Sequence, residues 1–117
     1  TDGTKDLSRV VLPDSGHLQE EDATYANRKG FSKHSPALPL YTEEDGRQAA
    51  ERMTVVPFSS ALEVAPGIHA TFRPAGHILG SATITLELAN SKARTLVFSG
   101  DLGRPPHPIF CSPAPWR

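Results

Sequence analysis

Two residues of metal-binding type stand in glycine-flanked turns of this 117-residue chain. His77 lies in the phrase A-G-H-I-L-G-S-A (75–82), and Asp101 lies in F-S-G-D-L-G-R (98–104). Two strand-like segments and a polar turn at 89–92 separate the two residues, which predicts an antiparallel hairpin with both residues at one end. Zinc accepts imidazole nitrogen and carboxylate oxygen as ligands, so this spacing indicates a metal site.

Each of the two residues also has a more ordinary interpretation. A histidine in a turn can cap the end of a strand, and His77 has no second histidine close to it in the sequence. An aspartate that follows a strand, as Asp101 does, commonly bonds to its own backbone in an Asx turn. Spacing alone leaves the metal site and the two independent turn residues open as alternatives.

The first part of the chain is predicted to be helical. Residues 4–28 carry apolar side chains at helical spacing, and Pro13 interrupts them, so we expect two helical pieces. Asp14 or Ser15 can cap the second piece, and Gly30 is placed to end it.

A second helix is predicted after a proline-punctuated loop at residues 31–40. Thr42 is the expected N-cap, and Asp45 stands where a capping box usually has glutamate. We expect this helix to run to about Met53. Gly46 within it weakens the helix by ~1 kcal/mol relative to alanine.

The pattern after this helix is that of strands. We expect a short strand at Thr54–Phe58 and a loop at Ser59–Gly67. Alternating apolar and polar residues predict strands at Ile68–Arg73 and Ala82–Leu88. The apolar run Thr95–Phe98 is the predicted second strand of the hairpin.

The composition limits the classes of function. The net charge is −1, so no overall field attracts the chain to nucleic acid or to an anionic membrane. The single cysteine, Cys111, excludes an internal disulfide and a cysteine zinc knuckle, and it fits a cytoplasmic location. No apolar run approaches the ~20 residues of a membrane-spanning helix. The proline-rich tail, residues 105–117, is predicted to be extended or disordered.

Other residues give weaker signals. Arg28, Lys29 and Lys33 form a small basic group, which we interpret as a solvated helix end rather than an RNA-binding track. His107 and Cys111 form an H-x-x-x-C pair, and that spacing by itself is too common to indicate a metal.

Residues 5–108 resemble the metallo-β-lactamase-fold nucleases that carry a β-CASP insertion, a group of RNA-processing enzymes. The phrases at 75–82 and 98–104 match the third and fourth metal motifs of that family. The phrases L-P-D-S-G-H-L-Q-E-E-D (12–22) and L-Y-T-E-E-D (40–45) are similar to helical segments of its members.

The resemblance implies an α/β chain in which residues 1–104 form part of a metallo-β-lactamase αβ/βα sandwich. It implies a zinc-dependent hydrolase of phosphodiester bonds, with RNA or single-stranded nucleic acid as the substrate. His77 would be a terminal ligand of one zinc ion, and Asp101 would be the catalytic carboxylate that bridges two zinc ions. The full-length protein could form a homodimer, and no membrane partner is expected.

The chain departs from this family in one respect that matters for activity. The main ligand motif, H-x-H-x-D-H, does not occur in the 117 residues, and we interpret Thr1 as a truncation point. We therefore expect the isolated chain to hold zinc weakly and to be inactive. Two alternatives remain open: a non-catalytic fragment that binds a partner through an exposed half-core, and a small-ester or thioester hydrolase of the same fold.

Overall fold

The computed structural model describes residues 1–89 and 94–115. The chain has a mixed α/β fold with a four-stranded antiparallel sheet in the order β1-β2-β3-β4. Its elements are α1 (Asp2–Lys29), α2 (Glu43–Glu51), β1 (Ala61–Ala65), β2 (Ile68–Pro74), β3 (Ala82–Leu88) and β4 (Arg94–Phe98). Neither of these helices is long and apolar enough to cross a bilayer.

The contacts divide the chain into two compact units. One unit comprises residues 5–54 and contains α2 and all of α1 except its first turn. The other comprises residues 1–4 and 55–117 and contains the sheet. Both candidate metal ligands belong to the sheet unit.

Helix α1 is continuous through Pro13, so the predicted division into two pieces is wrong. A proline inside a helix removes one backbone hydrogen bond and usually bends or ends the helix. Here Pro13 is buried, and a Cβ added to Gly46 of α2 would lie only 2.8 Å from its nitrogen. Packing against α2 therefore stabilises α1 at the position where its own hydrogen bonding is weakest. Gly30 ends the helix as predicted, with φ +69° and its N–H bonded to the carbonyl of Ala26.

A second close contact between α1 and the start of α2 occurs at Gly16. A Cβ on this buried glycine would overlap the carbonyl group of Thr42, with 2.7 Å to the nitrogen of Glu43. Ala50 of α2 is also fully buried. Small residues on both helices therefore allow the two backbones to approach closely.

Helix α2 begins with the predicted capping box. The Thr42 hydroxyl accepts a hydrogen bond from the N–H of Asp45 at 3.1 Å, and the Asp45 carboxylate accepts one from the N–H of Thr42 at 2.9 Å. The backbone bond from Thr42, together with a bond from its hydroxyl, lowers the pKa of Asp45. The helix ends at Glu51, slightly before the predicted end at Met53.

The first strand lies later in the chain than predicted. Thr54–Phe58 forms no strand, whereas Ala61–Ala65, inside the predicted loop, is β1. Pro57 lacks the N–H that a sheet ladder needs, which disfavours a strand at the predicted place. Strand β1 is an edge strand that is mostly exposed, so it shows none of the burial alternation that identifies a strand from sequence.

The other strands agree with the prediction, and so does the hairpin. Strands β2 and β3 pair from Ile68↔Leu88 to Pro74↔Ala82, and β3 pairs with β4 in an antiparallel register that includes Ile84↔Phe98. Of the predicted turn at 89–92, only Ala89 lies within the described residues.

The described part of the tail, residues 105–115, contains no helix or strand. The N–H of Ala114 donates a hydrogen bond of 2.8 Å to the carbonyl of Pro74 at the end of β2. This bond holds Ala114 against the sheet.

Candidate metal site

His77 and Asp101 lie in neighbouring turns at one end of the β3–β4 hairpin, where β3 begins and β4 ends. His77 Nε2 is 3.6 Å from Asp101 Oδ2. Two ligand atoms at zinc bond lengths of ~2.0–2.1 Å and a tetrahedral angle are about 3.4 Å apart. The structure therefore brings the two candidate ligands to a separation that is compatible with a shared ion.

Backbone contacts between the two turns set this separation. The N–H of Gly103 donates a hydrogen bond of 2.8 Å to the carbonyl of Ala75. A Cβ on Gly103 would overlap the carbonyl of Gly76 and would lie 2.9 Å from the nitrogen of His77. Only a residue without a side chain allows the Asp101 turn to approach the His77 turn so closely.

The local conformation of the His77 turn depends on Ser81, a residue that the sequence reasoning missed. The Ser81 hydroxyl accepts hydrogen bonds from the N–H groups of His77, at 3.0 Å, and Ile78, at 3.2 Å. Gly80, with φ +77°, completes the turn, and the N–H of Ser81 bonds to the carbonyl of Ile78. A serine shortly after a histidine turn is the sequence signal, because its hydroxyl commonly accepts from nearby backbone N–H groups.

Both side chains are open to solvent. That of His77 is 44 % exposed and that of Asp101 is 86 % exposed. Among residues 1–89 and 94–115, no group of three or more histidine, cysteine, aspartate or glutamate side chains is arranged to hold a metal ion. As an exposed ion pair alone, the two residues would contribute only about 0–1 kcal/mol to stability.

A cavity of about 500 Å³ adjoins the Asp101 turn. Ser99 and Leu102, which lie two residues before and one residue after Asp101, line it together with Thr83 of β3 and the tail residues 113–115. The hydrogen bond between the tail and β2 keeps one wall of this cavity in place. The candidate ligand Asp101 thus lies beside a space that can hold part of a small ligand.

Comparison with known proteins gives three partial similarities. The chain is 37% identical over 104 residues to endoribonuclease YSH1 of Eremothecium gossypii, an alignment that covers 89% of this chain and 12% of that protein. It is 35% identical over 65 residues to endoribonuclease YSH1 of Kluyveromyces lactis, covering 56% of this chain and 8% of that protein. It is 32% identical over 65 residues to transcription termination factor FttA of Cenarchaeum symbiosum, covering 56% of this chain and 10% of that protein.

The chain therefore spans about a tenth of the length of the curated relatives that it matches. No known family profile matches it.

Proposed function

We propose that this chain is part of a zinc-dependent RNA nuclease with the metallo-β-lactamase fold and a β-CASP insertion, and that His77 and Asp101 are two of its metal ligands. Similarity to two proteins named endoribonucleases supports the nuclease class. The 3.6 Å between His77 Nε2 and Asp101 Oδ2 carries the assignment of the ligands. The antiparallel sheet and two helices are compatible with one half of the αβ/βα sandwich.

The chemistry of the two side chains suits this role. Zinc, when bound, would acidify a water molecule and neutralise charge on a phosphodiester. His77 offers a neutral nitrogen donor, and Asp101 offers two carboxylate oxygens, of which Oδ2 faces the imidazole. The high exposure of Asp101 leaves its carboxylate accessible to a second cation, as a bridging role requires.

The two turns hold these ligands in place before any ion binds. The bond from Gly103 to Ala75 and the bonds to the Ser81 hydroxyl restrict both backbones. Because the turns are ordered in advance, binding loses less conformational entropy than it would with mobile loops.

Two ligands alone do not complete a dinuclear site. In this proposal the remaining donors belong to parts of a longer protein outside the 117 residues, including an H-x-H-x-D-H segment. The isolated chain then binds zinc weakly and does not cleave RNA, because each missing ligand removes a bond and part of the preorganised geometry.

The test uses a protein that contains these residues together with an H-x-H-x-D-H segment. We expect His77→Ala and Asp101→Asn each to lower RNA cleavage by roughly 100-fold or more and to lower the bound zinc measured by elemental mass spectrometry. The matched controls are His107→Ala and Asp14→Asn, since both residues are exposed and lie outside the site. Full activity and full zinc content in the His77 and Asp101 variants would refute the proposal. Cleavage of a small thioester but not of RNA would instead favour the small-ester hydrolase.

A non-catalytic role also has one observation in its favour. All five residues of β4 are exposed, including Leu96 and Phe98, and β4 is an edge strand. An exposed apolar edge strand marks an interaction surface. A partner-binding fragment would use this strand, and His77→Ala would leave its partner binding unchanged. The zinc experiment therefore separates the two functions.

A further inference from the structure

Aromatic and basic side chains meet at the C-terminal end of α1, within the unit of residues 5–54. The ring centroids of Tyr25 and Phe31 are 5.9 Å apart, and the rings are tilted by 60°. The guanidinium carbon of Arg28 lies 5.5 Å from the Tyr25 ring centroid, and the Lys29 ammonium lies 5.9 Å from it. Together with Lys33, which follows Phe31 by two residues, we call these side chains the α1-end surface.

Two amide side chains of α1 hold the segment after the helix in position. The Asn27 side chain donates a hydrogen bond to the carbonyl of Ala37 at 2.9 Å and accepts one from its N–H at 2.7 Å. The Gln19 side-chain oxygen accepts a bond from the N–H of Leu40 at 3.0 Å. These bonds hold Ala37 and Leu40 against α1, and with them the segment of residues 31–40. Phe31 is therefore held beside Tyr25 before any ligand arrives, which lowers the entropy lost on binding.

The surface is exposed and contains three cations. Acidic side chains lie beside it: Asp22 lines a depression with Tyr25 and Phe31, and Glu20 and Glu21 line another with Tyr25 and Arg28. Phe31 is 66% exposed and Tyr25 is 48% exposed. Between Asp22 and Glu43 the sequence contains three cationic side chains and no acidic one, although the net charge of the chain is −1. The helix macrodipole accounts for cations in the last turn of α1. It does not account for two large exposed rings beside them.

We propose that the α1-end surface binds single-stranded RNA. Exposed rings stack on unpaired bases while neighbouring cations neutralise phosphates, and this combination is the one that single-strand-binding surfaces use. This proposal departs from the interpretation of Arg28, Lys29 and Lys33 as a solvated helix end, because the sequence did not place Phe31 against Tyr25. The choice of RNA over other single strands rests on the proposed function. The surface itself includes neither candidate metal ligand.

Fluorescence anisotropy with a short labelled single-stranded RNA, in the presence of EDTA, tests the proposal on the 117-residue chain. Phe31→Ala should weaken binding by roughly 5- to 150-fold, the range that loss of one base–aromatic stack produces. The double variant Arg28→Gln/Lys29→Gln should lower the slope of log K against log salt by about 0.7 for each phosphate that it no longer neutralises. Ile109→Ala and Arg52→Gln are the matched controls, because they remove an exposed apolar side chain and an exposed cation elsewhere. Far-UV circular dichroism checks that every variant is folded.

Several results would overturn this proposal. One is that the wild-type chain shows no affinity for the RNA. Another is that the Phe31→Ala variant binds the RNA as tightly as the wild type does. Duplex RNA of the same sequence hides its bases, so it should bind more weakly and without dependence on Phe31; equal dependence would refute stacking. If the chain associates with itself and does not bind RNA, and if Phe31→Ala abolishes that association, the surface binds protein instead. The assay measures binding in EDTA and involves neither zinc nor cleavage, so failure of the zinc proposal and failure of this one are distinguishable.

Discussion

Replacing Gly103 with alanine should pull the two candidate ligands apart. A Cβ at this position would overlap the carbonyl oxygen of Gly76 and lie 2.9 Å from the nitrogen of His77. Carbon atoms in ordinary contact are ~3.5–4.0 Å from their neighbours, so the two turns must separate by roughly 1 Å or more. Neither contact is with a flexible side chain, and only backbone movement can relieve them.

The size of this movement decides whether one ion can still reach both ligands. The present distance between His77 Nε2 and Asp101 Oδ2 is 3.6 Å. An increase of about 1 Å takes it beyond ~4.1 Å, the most that two zinc bonds placed end to end can span. Gly103→Ala should therefore weaken zinc binding as much as His77→Ala does, although both ligands remain in the sequence.

Zinc titration followed through the imidazole NMR signals of His77 is the appropriate assay, because it detects weak binding. Gly67→Ala is the control: Gly67 has a positive φ of +73°, unlike Gly103, and its Cβ would meet only the carbonyl oxygen of Ala89, at 3.4 Å. This control should lose stability and keep the zinc response. Zinc-induced shifts of equal size in Gly103→Ala and the wild type would refute the reasoning, as would a wild-type His77 signal that zinc does not move.

Three further predictions concern stability and association. Gly16→Ala should lower the free energy of unfolding in urea titrations by up to about 2 kcal/mol, the difference between ~1–3 kcal/mol of overpacking against Thr42 and a gain of ~1 kcal/mol in helix propensity. Thr24→Ala, on the exposed side of the same helix, should be neutral or slightly stabilising, and a stabilised Gly16→Ala would contradict the close contact. Thr42→Ala should cost about 1 kcal/mol at neutral pH. The folded state holds the pKa of Asp45 below its usual value of 3.8, chiefly through the backbone N–H of Thr42 and then through its hydroxyl. The contribution of the Asp45 charge is therefore present above that pH and is lost as the pH falls through the folded-state pKa. Thr42→Ala removes only the hydroxyl bond to the carboxylate, so the difference between wild type and Thr42→Ala should narrow on acidification, and a difference that grows would contradict the capping box. Leu96→Lys should reduce association of the chain in light scattering, since it places a charge on the exposed edge strand β4; unchanged association would exclude β4 as the contact surface.

Local sequence patterns were sufficient to predict those elements whose structure depends on their own residues and near neighbours. The capping box at Thr42 and the helix end at Gly30 are predicted because they depend on bonds and torsions within a few residues. The strands β2 to β4 are predicted because their alternating or apolar patterns reflect pairing with immediate neighbours in the chain.

Tertiary packing decided the elements that local patterns described wrongly. Pro13 predicts a helix break, and the close approach of Gly46 in α2 explains why α1 continues through it. Strand β1 has no core-facing pattern of its own, and pairing with β2 makes it a strand. The α1-end surface follows the same logic, since bonds from Asn27 to a residue ten positions away place Phe31 beside Tyr25.

The candidate site combines both kinds of information. The sequence by itself determined which residues could bind a metal and that a hairpin carries His77 and Asp101 to the same end. Only the tertiary structure decided their separation of 3.6 Å, because that distance depends on the contact of Gly103 with the backbone of Gly76. A contact between residues so far apart in the chain has no local pattern, and it forms only when the sheet brings the two turns together.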